Sequence, residues 1–142
     1  MAGYRNLTAL AGRFLLALIF VLSGFGKLTN LAGTAGVMEH KGGIPHALVY
    51  PLLGATILVE LGGSLLVMLG YRARWAALLV FLWFIPVTML FHFIPWREAV
   101  AQGNAMAAMA QQGNFMKNLS IMGGLLMAAG FGSGAWSIDG GK

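Results

Sequence analysis

Leu48-Val-Tyr-Pro-Leu-Leu-Gly-Ala-Thr-Ile-Leu-Val-Glu60-Leu-Gly-Gly-Ser-Leu-Leu-Val-Met-Leu-Gly70 is an apolar run with a single charge near its middle. A helix needs roughly 20 apolar residues to cross a bilayer, and this run is about that long. A carboxylate at that depth costs about 2.5–3.5 kcal/mol or more on insertion scales. Its side chain is also too short to snorkel to the interface as a lysine does. A chain that carries Glu60 there pairs it, uses it, or does both.

The rest of the chain agrees with a membrane setting. Of its 142 residues 58% are hydrophobic and only 9% are charged, against about 25% charged in an ordinary soluble domain. Mean hydropathy is +0.78. The length suits one domain, residues 1–142. There is no cysteine, which excludes a disulfide framework, a thiol redox pair and a thiolate metal site. The formal charge of +5 does not point to nucleic acid, because tracking a phosphate backbone needs clustered Lys and Arg. In a membrane protein such an excess marks loops that face the cytoplasm and anionic lipid.

Four apolar runs predict an all-α, integral four-transmembrane-helix bundle, with spans at about 7–28, 47–69, 73–94 and 115–131. Trp75 and Trp96 bracket the third run like an aromatic belt, and Pro86 inside it should kink the helix. Gly123, Gly124 and Gly130 weaken the fourth as an isolated helix but suit close helix packing. The first run lacks an Ala-x-Ala site and reads as a retained helix rather than a cleaved signal. Residues 29–46 and 95–114 read as longer loops, with 99–112 a candidate interfacial helix. Arg5, Arg72, Arg74 and Lys142, with Arg13 just inside, fall on one side. Lys41 and Arg97, offset by Glu39 and Glu98, fall on the other, with Lys27 and Lys117 at helix ends. The Lys/Arg bias places both termini in the cytoplasm.

At 1.5 Å of rise per residue, Lys27, His92, Lys117 and Asn118 come from three helices yet share one outer layer. Arg13 lies near the inner end of the first span. Glu60 falls between, roughly 10 Å in depth from either layer, so Arg13 and Lys27 both qualify as its counter-charge. Met38, His40, His46, Met106, Met109 and Met116 would face outward, but their spacing fits no known copper site, and no metal site is assigned. No Ser, His and acid stand at a hydrolase spacing. No glycine-rich loop precedes a Lys-Ser or Lys-Thr pair.

The chain resembles the DoxX family of small bacterial membrane proteins. The resemblance runs through Gly12-Arg13 to Ser23-Gly24-Phe-Gly-Lys27-Leu28, then Gly43-Ile-Pro45, Glu60-Leu-Gly-Gly63 and Leu69-Gly70-Tyr-Arg-Ala-Arg74. It closes at Phe115-Met-Lys117-Asn118-Leu119 and Gly132-Ser-Gly134-Ala-Trp136-Ser137-Ile-Asp139. It implies a multi-pass protein of the bacterial inner membrane and membrane redox chemistry, since the family's namesake is similar to the small subunit of a thiosulfate:quinone oxidoreductase. A quinone is then the candidate cofactor. Glu60 would exchange protons, Arg13 or Lys27 would hold it, and His92, Lys117 and Asn118 would donate hydrogen bonds to a headgroup. The chain has no flavin fingerprint, haem ligand pair or iron–sulfur cysteines, so electrons are expected from a partner redox subunit or a bound small molecule, and the chain is not expected to be a complete enzyme alone. A structural or assembly subunit, and a proton-relay or transport protein working as a homo-oligomer, are the alternative readings.

Overall fold

A computed structural model describes residues 2–140; Lys142, counted above with the basic residues near the termini, lies outside them. The described residues form helices and turns and no strand. Helix α1 is Ala2–Thr29. Its buried positions Arg13, Ala17, Phe20 and Gly24 recur every three or four residues, which puts them on one face, and Lys27 continues that face a turn later. Phe14, Leu15, Leu18 and Leu22 point away from it and are exposed, as a lipid-facing stripe would be.

Asn30 caps the short helix α2, Leu31–His40, by accepting the Gly33 N–H at 3.1 Å. Pro45 opens α3, His46–Ile57. The helix does not stop at Ile57. It loosens into a π-helical turn, Leu58–Gly63, and resumes as α4, Ser64–Leu69. Gly70, in the left-handed region with φ of +70°, ends it. Helix α5, Ala73–Thr88, contains Pro86 and leads into a second π-helical turn, Met89–Phe93, and then α6, Ile94–Ala101. After a tight turn, Asn104 caps α7, Ala105–Phe131.

Three runs, Gly3–Thr29, His46–Leu69 and Ala73–Ala101, are long and apolar enough to cross a membrane. The loop expected over 95–114 is mostly helix. Pro95 falls inside the continuous helical run Ala73–Ala101, directly after the π-helical turn Met89–Phe93, and local π adjustments of this kind let a membrane helix accommodate proline. The Ala-, Met- and Gln-rich residues beyond Asn104 are good helix formers and extend α7 toward its N-terminus. Residues 29–46 likewise fold, in part, as α2.

Two apolar clusters hold the molecule. One joins Ala17 and Phe20 of α1 to Val67 of α4, Ala76, Ala77 and Val80 of α5, and Leu125 of α7. The other joins Ala35 and Met38 of α2 to Val49, Leu53 and Ile57 of α3. Glu60 lies on the segment between Ile57 and Val67, and so between the clusters.

Candidate functional site

Glu60 projects from the first π-helical turn and is 5% exposed. Its Oε2 accepts a hydrogen bond from Lys27 Nζ at 2.8 Å, and Lys27 Nζ also donates to Ser23 Oγ at 2.5 Å. Two features of α1 allow this. Ser23 precedes Lys27 by four residues, so both lie on the face toward Glu60. Gly24 between them lets the backbones approach: a Cβ there would stand 2.7 Å from Leu61 Cγ and 3.3 Å from Glu60 Cβ. The Glu60 carbonyl, on the same turn, accepts from Ser64 Oγ. Turns of this π type recur at functional sites, and both of the π turns here line one cavity.

That cavity has a volume of about 330 Å³. Lys27 and Glu60 form its charged wall, and Phe20, Phe84 and Phe91 its aromatic walls. Phe20 and Phe84 meet edge to face, with centroids 4.9 Å apart. His92, from the second π turn, lines it and shares a hydrogen bond of 3.0 Å between Nδ1 and Gln111 Oε1. Asn118 is buried and donates to Thr88 Oγ1 at 3.1 Å. Lys117 lines the cavity from an exposed position and donates to Asn114 Oδ1 at 3.1 Å. Five of the six residues singled out in the sequence therefore meet around one space.

The sixth, Arg13, does not. It shares the buried face of α1 but precedes Lys27 by fourteen residues, roughly 21 Å along the axis. Its Nη2 donates to Trp136 O at 2.6 Å, at the other end of the molecule. The counter-charge of Glu60 is Lys27, and Arg13 as its partner is corrected on that geometry. The segment after α7 folds over the α4–α5 turn there: Ile138 N donates to Leu69 O and Asp139 N to Gly70 O, each at 3.2 Å. The Asp139 carboxylate accepts from the Arg72 N–H.

Ser23, Thr88 and Gln111 were missed in the sequence. Ser23 had a signal, its i, i+4 spacing to Lys27. Thr88 and Gln111 had none, since each meets its partner across helices. Among the described residues no group of His, Asp or Glu could hold a metal ion. Of the residues once weighed for copper, Met38 packs in an apolar cluster and His46 pairs with Glu39.

The DoxX family model matches residues 8–93 and the SURF4 family model matches residues 51–142. Inner membrane protein YqjF of Escherichia coli K12 is 36% identical over 98% of this chain and 95% of its own length. Inner membrane protein YphA of the same organism is 31% identical over 95% of this chain and 90% of its own length. No solved structure matches.

Proposed function

The chain belongs to the DoxX family and is an integral inner-membrane protein, and on that premise we propose that it is the membrane subunit of a quinone-linked oxidoreductase system. The observation that carries this reading is the Lys27–Glu60 pair, 2.8 Å apart, on the wall of an otherwise largely apolar and aromatic cavity. A volume of about 330 Å³ sits at the lower end of small-molecule pockets, roughly 300–1,000 Å³, and suits a single-ring headgroup. A bound quinone would supply two-electron, two-proton redox chemistry.

The side chains divide the remaining work. An ammonium has three N–H donors, and Lys27 commits two of them, to Ser23 and Glu60. The third is available to orient a carbonyl oxygen. Asn118 has a second amide N–H beyond the one given to Thr88, and Lys117 and His92 supply further polar contacts. Glu60 accepts or gives the proton that accompanies electron transfer, with Lys27 holding its carboxylate in place. Phe20, Phe84 and Phe91 exclude water from the ring. Electrons enter from a separate redox subunit.

The same reading takes α7 as a fourth crossing, residues 1–142 as a single domain, and both termini as cytoplasmic. Arg5, Arg72 and Arg74 lie at the end where α1 begins and α7 finishes, and the positive-inside bias supports a cytoplasmic position for that end. A homo-oligomer is compatible with the small-residue faces.

The test is quinone extraction and mass spectrometry on protein purified in mild detergent. Wild type should retain quinone near stoichiometrically. Glu60→Gln should insert normally and lose at least about tenfold of that retention, the cost of one charge-assisted hydrogen bond. Equal quinone content in both proteins, or none in either, would falsify the reading and favour an assembly subunit or a proton relay.

A further inference from the structure

At the opposite end from Glu60, a second cavity of about 510 Å³ runs between α1 and α7. Arg5, Gly12 and Arg13 line it from α1, and Gly124, Ala128 and Phe131 from α7. Along α1, Arg5, Ala9, Arg13 and Leu16 lie three or four residues apart, with Gly12 beside Arg13, and along α7 Gly124, Ala128 and Phe131 do the same, so each helix contributes one continuous face. Gly12, with no side chain, leaves open space where a Cβ would meet no atom within 4 Å, Gly124 faces Leu16 closely, and Phe131, 77% exposed, flanks the opening. The result is a groove parallel to the helices, apolar along its length and basic toward the chain termini.

Arg13 is the independent observation. It is only 4% exposed. One of its nitrogens donates to Trp136 O. Its Nε and Nη1 are buried and have no hydrogen-bond partner among the described residues. Buried donors of a guanidinium are almost always satisfied, so this side chain is short of acceptors. None of the described residues lining the groove is acidic. Nothing among the described residues supplies the missing acceptor, and the groove offers room at interface depth for an anion attached to something that fills an apolar slot.

We propose that the α1–α7 groove binds one anionic phospholipid, its phosphate between Arg5 and Arg13 and an acyl chain along Gly12, Gly124 and Ala128. Basic pockets between membrane helices bind anionic headgroups by this arrangement of charge above an apolar slot. The phosphate oxygens accept from Arg13 Nε, while Nη1 stays packed against Gly70, and Arg5 adds a charge at the membrane surface. The site is separate from the Lys27–Glu60 cavity and does not depend on the redox reading.

Thermal unfolding of the full chain in a neutral detergent tests this, titrated with dioleoyl phosphatidylglycerol, dioleoyl phosphatidylcholine or inorganic phosphate. The phosphatidylglycerol should raise the unfolding midpoint saturably, and the other two should not at matched concentration. Arg5→Gln should weaken apparent phosphatidylglycerol affinity roughly fivefold, as expected for one basic residue at the surface. Gly12→Leu should weaken it by at least as much through filling the slot. It should leave the lipid-free midpoint near wild type, because a Cβ at Gly12 meets no atom within 4 Å. Equal stabilisation by phosphatidylcholine would overturn the headgroup assignment. Equal stabilisation by inorganic phosphate would reduce the site to a small-anion site. Unchanged affinity in both variants would place the lipid elsewhere.

Discussion

The buried face of α1 carries two cations, and the molecule treats them differently. Lys27 meets an acid, Glu60, beside a cavity. Arg13 meets a backbone carbonyl, Trp136 O, under a folded C-terminal segment. The difference comes from what the neighbouring segments offer at each level. Opposite Lys27, a π turn presents a carboxylate, and Gly24 lets it close in. Beside Arg13 stands Gly70, whose absent side chain leaves room for the guanidinium: a Cβ there would overlap Arg13 Nη1 and Ser137 Cβ. Two similar residues on one face thus become a charge pair at one end and an anchored, partly unsatisfied cation at the other. A buried cation is informative through its partner more than through its presence.

Removing the partner at the paired end should have the largest effect. Lys27→Leu strands the buried Glu60 carboxylate; because the Lys27 side chain is itself 24% exposed, the cost should lie at the low end of that for a broken buried pair, about 3 kcal/mol, read as a fall in the midpoint of thermal unfolding in detergent. A loss under about 1 kcal/mol would mean that the pair is solvated like a surface salt bridge. Next comes the anchored end. Gly70→Ala forces a side chain onto a backbone with φ of +70° and into Arg13, which should cost about 2–3 kcal/mol. If Gly70→Ala is neutral in the same assay, Arg13 is not caged there.

Gly24→Ala is a smaller and sharper probe. It pushes α1 away from Leu61, a flexible side chain that can yield, for a cost of about 1–2 kcal/mol. It should weaken ligand retention in the Glu60 cavity more than it lowers stability, because it moves Lys27 relative to Glu60. Loss of stability without any change in retention would separate the pair from the site. The smallest effect should follow Asp139→Ala, which removes the acceptor of the Arg72 N–H at a surface turn, about 0.5–1.5 kcal/mol. Faster amide exchange confined to residues near Arg72 and the C-terminal segment is the expected signature. Faster exchange near Glu60 instead would show that the two ends are coupled.

Much of this arrangement was readable before any coordinates. An acid in an apolar run of bilayer length has to be accounted for, and helical rise placed Lys27, His92, Lys117 and Asn118 in one layer. The choice between Lys27 and Arg13 was not readable, because both lie on the same face of α1 and only the level of Glu60 beside Ser23 and Gly24 separates them. The π turns left no signal in the pattern, since they depend on backbone hydrogen bonds and on contacts such as Ser64 with the Glu60 carbonyl. Residues 95–114 read as a loop because Pro95 and the polar residues Gln111 and Gln112 break the apolar pattern. Yet Pro95 follows directly on a π-helical turn within a continuing helix, and Asn104 caps the next helix. The groove beside Arg13 also went unseen, because it is built from small residues that look the same whether they pack closely or leave a space.

A double-mutant cycle tests the Lys27–Glu60 account most directly, comparing wild type, Lys27→Leu, Glu60→Leu and the double variant by reversible unfolding in detergent. If each ion is buried against the other, each single change is costly and the double variant regains most of the loss, with a coupling of about 2–3 kcal/mol. Strictly additive losses would mean that the two side chains do not sense one another, and the contact at the centre of the proposed site would not exist in the folded protein.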